Sequence, residues 1–219
     1  MSFVPKVCCA GEPLIEFAPA ENGTYTQGIA GDTLNTAVYL RRAGVAVQYF
    51  SCVGDDAFSA DIVALLREEG IDHSTVAVKP GRQPGLYVIH NDADGERRFS
   101  YWRNESPARE LFDHPVQLDG LDAFYFSGIT LAVCRSGLAN LLQFLVSLRE
   151  RHCKVIFDPN FRPALWDDIQ QARDCYRSVL PWCDTVLPTL DDDNALWGFD
   201  SVSDCYDFYC GFGIEELVI

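Results

Sequence analysis

Short apolar runs alternate with amphipathic helical stretches along most of this chain, and that alternation restricts the fold more than any other feature. Residues 6–10 read as a buried strand ending at Gly11 and Glu12. A helix follows over about 33–42, stopped by Gly44, a natural C′ glycine. Residues 45–53 read as the next strand and 54–56 as a turn. Residues 57–69 read as a helix with Phe58, Ile62, Leu65 and Leu66 on one face, ended by Gly70. Further on, residues 123–128 read as a strand and a turn. Residues 136–151 form an amphipathic helix with Leu138, Leu141, Leu142, Leu145 and Leu148 on one stripe. A strand over 154–158, a helix over 167–180, a strand over 185–187, helices over 190–197 and about 201–210, and a strand from 215 complete the series. Such alternation predicts an α/β fold: a mainly parallel sheet with helices on both faces.

The middle breaks the pattern. Residues 85–90 and 97–102 read as two strands around a turn at 91–95, a hairpin signal. Residues 12–29 read as irregular or short-strand structure. A small antiparallel piece lying against the α/β body is expected.

With 219 residues, 48% hydrophobic and 22% charged, the chain is long enough for one sizeable globular domain. A net charge of -15 argues against nucleic acid as a partner, because phosphate backbones need a basic face. No run of 18 apolar residues and no leader-like start predict a protein without membrane contact. The nine cysteines are odd in number and contain no C-x-x-C, which predicts reduced, mostly buried thiols and a cytoplasmic location. The four histidines are scattered, so no metal site is expected from them.

One segment carries chemistry. Ala30 and Gly31 are small, and Asp32 and Asn35 follow at the start of a predicted helix. Small residues admit close backbone approach, and a helix start offers unpaired N–H groups. Asp32 and Asn35 add an acceptor and a mixed donor/acceptor for hydroxyls. The alternative is a helix cap by Asp32 or Thr33.

The spacing Asn35-x-Ala37, six residues, Gly44, nine residues, Gly54 resembles the amino-terminal signature of ribokinase-like sugar kinases. Several pieces resemble the 2-keto-3-deoxygluconate kinase branch of that family. They are Gly31-Asp32-Thr33-Leu34-Asn35, Pro84-Gly85-Leu86-Tyr87, Gly95-Glu96-Arg97, Tyr101-Trp102-Arg103-Asn104, Ser127-Gly128-Ile129, Phe157-Asp158-Pro159-Asn160-Phe161-Arg162-Pro163 and Leu190-Asp191-Asp192. They occur in the family's order from Val7 to Ile219. The resemblance implies a ribokinase-like fold with a small β-lid, its strands within about 12–30 and 84–103. It also implies a homo-oligomer contact through that lid.

The resemblance further implies ATP-dependent phosphorylation, with Mg²⁺, of the terminal hydroxyl of a sugar acid. Gly31, Asp32, Thr33, Leu34, Asn35, Tyr87, Tyr101, Trp102, Arg103 and Arg162 would bind substrate, and Asn160, Phe161 and Arg162 would flank the nucleotide. A guanidinium suits a carboxylate because it bonds bidentately, which singles out Arg103 and Arg162. Tyr87 and Tyr101 offer a hydroxyl and a ring. Trp102 points to the face opposite Tyr101, where packing is its expected role. Glu16 is a further candidate acid in a lid strand.

The family's catalytic Asp follows a Gly-Ala-Gly-Asp-like motif. No such motif is present, so the base is expected beyond Ile219, in a carboxy-terminal part that this chain lacks. A strand without its outer neighbours would expose apolar surface, which predicts association of the isolated chain. Other readings are a kinase for another sugar such as fructose, or an inactive sugar-acid binder. A dinucleotide oxidoreductase would need a G-x-G-x-x-G after the first strand, where Gly11-Glu12-Pro13 stands instead.

Overall fold

The computed structural model describes residues 4–92, 94 and 96–219. Among them, eleven strands form two sheets. The large sheet contains β1 (Lys6–Ala10), β4 (Ala46–Val53), β5 (Val76–Val78), β8 (Ala123–Ser127), β9 (Lys154–Asp158), β10 (Thr185–Val186) and β11 (Glu216–Leu217). Its order is β11-β10-β9-β8-β1-β4-β5, and every pair is parallel. The helices are α1 (Asp32–Arg42), α2 (Ala57–Glu68), α3 (Gly128–Val133), α4 (Leu138–Glu150), α5 (Ile169–Val179), α6 (Leu190–Trp197) and α7 (Val202–Cys210).

Alternation along the strands feeds two cores. Val7, Cys9, Val47, Tyr49 and Tyr125 face one side and pack with Leu34 and Ala37 of α1 and Ile62 and Leu66 of α2. Cys8, Ala10, Phe124, Phe126, Val155 and Phe157 face the other side and meet Leu145 of α4, Tyr176 of α5, Leu196 of α6 and Cys205 of α7. All nine cysteines are free, and seven are buried. The helix starts follow simple chemistry: Asp56, Asp168, Thr189 and Ser201 accept backbone N–H bonds as caps of α2, α5, α6 and α7.

The second sheet contains β2 (Leu14–Pro19), β3 (Tyr25–Ala30), β6 (Gly85–Asn91) and β7 (Arg97–Trp102), in the order β3-β2-β6-β7. It differs from the expected antiparallel piece. The two hairpins are antiparallel, but they meet through β2 and β6, which run parallel. Each of these two strands leaves the large sheet after a parallel strand, β1 or β5, so they set out in the same direction. Ala93 and Gly95, placed in the hairpin turn by their sequence, lie outside the described residues.

Two elements depart from the sequence reading. Gly128–Val133 is a helix, not a turn, because the Ser127 hydroxyl caps it directly at the strand end. The three-residue β5 has no pattern long enough to read. Among the described residues, no helix is long and apolar enough to cross a membrane.

Candidate active site

In open α/β sheets, ligands collect beyond the carboxyl ends of the strands, where neighbouring connections diverge. Here β1 lies between β8 and β4, and its carboxyl end opens under the second sheet. A cavity of about 150 Å³ lies there, lined by Glu12, Leu14, Ala30, Gly31, Asp32, Asn35, Tyr87, Phe99, Tyr101, Arg103 and Ile129. One wall is the start of α1. The other is one face of the small sheet.

The geometry of the α1 wall follows from helical spacing. Asp32 and Asn35 stand three residues apart, hence on one face, and both line the cavity. Thr33 and Leu34 turn inward instead: Leu34 is core, and the Thr33 hydroxyl lies 3.2 Å from the Tyr49 hydroxyl. Gly31 is the N-cap residue and no side chain caps α1. A Cβ at Gly31 would stand 2.6 Å from the Glu12 carbonyl oxygen, so only glycine permits this approach. The Asp32 carboxylate is not a cap. Its Oδ2 accepts from the Ser127 hydroxyl and, at 3.4 Å, from Asn160 Nδ2. Oδ1 has no protein partner among the described residues.

On the sheet wall, Tyr87, Phe99 and Tyr101 form one aromatic patch, with ring centroids 5.5 Å apart for Tyr87 and Tyr101. The Tyr87 hydroxyl donates its proton to Glu16 Oε2. Tyr101 is 50% exposed. Trp102 lies outside the lining of this cavity. It is 59% exposed and lines a neighbouring groove with Leu86, Tyr101 and Arg103.

Arg103 and Glu12 form a buried ion pair at the cavity floor. Arg103 Nε donates to Glu12 Oε2 at 2.8 Å, and Nη2 donates to the same oxygen. Glu12 Oε1 is buried without a hydrogen-bond partner. Burial pushes the Glu12 carboxyl above its usual range, against the opposing pull of Arg103. Glu12 was not singled out from sequence. The signal available was an acid wedged between Gly11 and Pro13 directly after a buried strand.

The other predicted group sits beside the cavity rather than in it. Asn160 holds a left-handed conformation, φ 35°, just past β9. Phe161 is core, edge-on to Tyr176. Arg162 is half exposed and pairs with Asp192 of α6 at 3.1 Å. Among the described residues no group of three or more His, Cys, Asp or Glu is disposed to hold a metal ion.

Asp158 also stands at this edge. Burial raises its carboxyl to about 6; Asp32 and Asp192 push the same way, while the Tyr125 hydroxyl and Arg162 oppose. The folded carboxyl thus keeps its proton to higher pH than the unfolded one. Charging it removes stability as pH rises from about 4 to about 6, and the cost is complete near pH 7. Asp158→Asn, which keeps an acceptor for Tyr125, is expected to stabilise by roughly 1–3 kcal/mol at pH 7 and by little at pH 4. Urea denaturation of both proteins across that range checks this, and a pH-independent difference would contradict it.

A parallel, helix-covered sheet carries a small second sheet over its carboxyl edge, and the two enclose a polar and aromatic cavity. Residues 4–219 match the pfkB family of carbohydrate kinases, and the chain belongs to that family. It is 36% identical to a protein named 2-dehydro-3-deoxygluconokinase from Haemophilus influenzae, over 98% of this chain and 72% of that one. A protein of the same name from Dickeya dadantii is 37% identical over the same shares. The crystal structure of 2-dehydro-3-deoxygluconokinase from Thermotoga maritima superposes with a TM-score of 0.86 at 20% identity, covering 97% of this chain and 70% of that one.

Proposed function

We propose that this chain binds 2-keto-3-deoxygluconate in the cavity between the two sheets, as the sugar-acid-binding part of an ATP-dependent kinase. The observation that carries the reading is the cavity's composition: an unspent carboxylate oxygen, an amide, an aromatic wall and a guanidinium converge on one small space. The relatives named for that activity, at 36–37% identity, support the same substrate.

Asp32 Oδ1 accepts from a sugar hydroxyl and Asn35 bonds a second one. Tyr101 and Phe99 cover an apolar face of the sugar, and Tyr87 contributes its ring, since its hydroxyl is spent on Glu16. Glu12 occupies the Nε side of Arg103 and leaves Nη1 for the substrate carboxylate. Arg162 stands outside the cavity lining, so its proposed ligand is a nucleotide phosphate, with Asn160 and the Phe161 backbone beside it. ATP supplies the phosphoryl group. Mg²⁺ carried on nucleotide phosphates needs only one or two protein carboxylates. Nine free thiols suit a reducing compartment, and the cytoplasm is the proposed location.

Calorimetric titration with 2-keto-3-deoxygluconate and with fructose tests the reading. The sugar acid is expected to bind at least tenfold more tightly. Equal or tighter binding of fructose would overturn the substrate assignment.

A further inference from the structure

A second cavity, of about 210 Å³, adjoins the first across Arg103. Its walls include Arg103, Asn104, Arg109, Arg135, Trp166 and Asp167. Three guanidiniums thus gather in one hollow of a chain whose net charge is -15. Their counter-charges are few. Arg103 is paired with Glu12, and Arg135 donates to Asp167 at 3.2 Å and to Gln171 at 2.6 Å. Arg109 is half-buried, and its guanidinium has no hydrogen-bond or ion-pair partner among the described residues. Trp166 is 8% exposed, its Nε1–H is buried without an acceptor, and the Arg135 guanidinium lies 5.8 Å from its ring centre. An unpaired guanidinium, with two more in the walls of the same cavity, calls for an anion.

We propose that this cavity is a binding site for a small phosphate dianion, either inorganic phosphate or a phosphate monoester, held by Arg109 and Arg135. Planar guanidiniums match tetrahedral oxyanions through paired N–H bonds, and Asn104 adds an amide at the rim. The two cavities share Arg103, but Arg109 and Arg135 line only this one, so the proposal does not depend on which sugar the other takes.

The test is calorimetric titration of the protein with inorganic phosphate and, in a parallel arm, with glycerol 2-phosphate. The tighter of the two identifies the source. Saturable binding is expected, weakened at least tenfold in Arg109→Gln and in Arg135→Gln and unchanged in Asn35→Ala of the sugar cavity. A second readout needs no variant of the arginines: in protein carrying 5-fluorotryptophan, the ¹⁹F resonance assigned to Trp166 is expected to move with phosphate while that of Trp182 stays. Absence of saturable binding, binding indifferent to Arg109→Gln, or a Trp166 resonance that does not respond would each overturn the proposal.

Discussion

Arg103→Met is expected to destabilise the protein by about 3–5 kcal/mol, the usual cost of removing one partner from a buried ion pair. Glu12 and Arg103 are both almost wholly enclosed, and the guanidinium donates twice to the Glu12 carboxylate. Without it the carboxylate loses its counter-charge in a buried place. Gly85 shows how tightly the pair is seated: a Cβ there would stand 2.7 Å from Glu12 Oε1 and 2.9 Å from Arg103 Cβ. The deficit should shrink below the ordinary glutamate range, where protonation relieves the unpaired charge. Replacing both residues by methionine should recover most of the loss, because apolar side chains of similar volume carry no desolvation cost. Urea denaturation of the parent, the single and the double variant at pH 7 measures this. A double variant no more stable than the single would show that the damage is loss of packing and not loss of the pair.

The second large effect is on ligand binding. Asp32→Ala is expected to weaken sugar-acid binding roughly 10- to 150-fold, the equivalent of losing one charged hydrogen bond of about 1.5–3 kcal/mol. Ser127 and Asn160 both donate to Oδ2, which turns the other oxygen over to the ligand. Asp32→Asn makes the test sharper. An asparagine must present its oxygen to Ser127 and Asn160, so its NH₂ group takes the place of Oδ1 and an acceptor becomes a donor. The isosteric change should therefore cost nearly as much as the truncation. Calorimetry with 2-keto-3-deoxygluconate decides it, and affinity retained in Asp32→Asn would remove Asp32 from the proposed site.

Much of the fold was legible because long periodic patterns decide it. The helices over 57–69 and 136–151 matched their apolar stripes, and the strand over 154–158 matched its apolar run. Short elements were not legible: three residues of β5 carry no period, and Gly128 at the first position of α3 reads as a turn. The candidate site was legible as a neighbourhood but not as a list. A motif names consecutive residues, whereas a helix rotates about 100° per residue. Gly31-Asp32-Thr33-Leu34-Asn35 is therefore split between cavity and core. The same holds for Tyr101-Trp102-Arg103, where strand alternation sends the tryptophan to the opposite face. Glu12 and the cavity-lining Phe99 and Ile129 come from separate elements, and only the tertiary arrangement brings them together.

Two of the small sheet's connections are very short, while the one from β7 to β8 runs over residues 103–122. Three residues separate β1 from β2, and Gly31 alone separates β3 from α1. The longer segment between β5 and β6 is itself pinned, with Lys79 and Arg82 both paired to Glu110. Three extended residues reach about 10 Å, so the β2–β3 edge of the small sheet stays close to the strand ends. The Gly31 and Glu12 wall of the cavity is thus held by the covalent chain itself, which lowers the ordering cost a ligand must meet there.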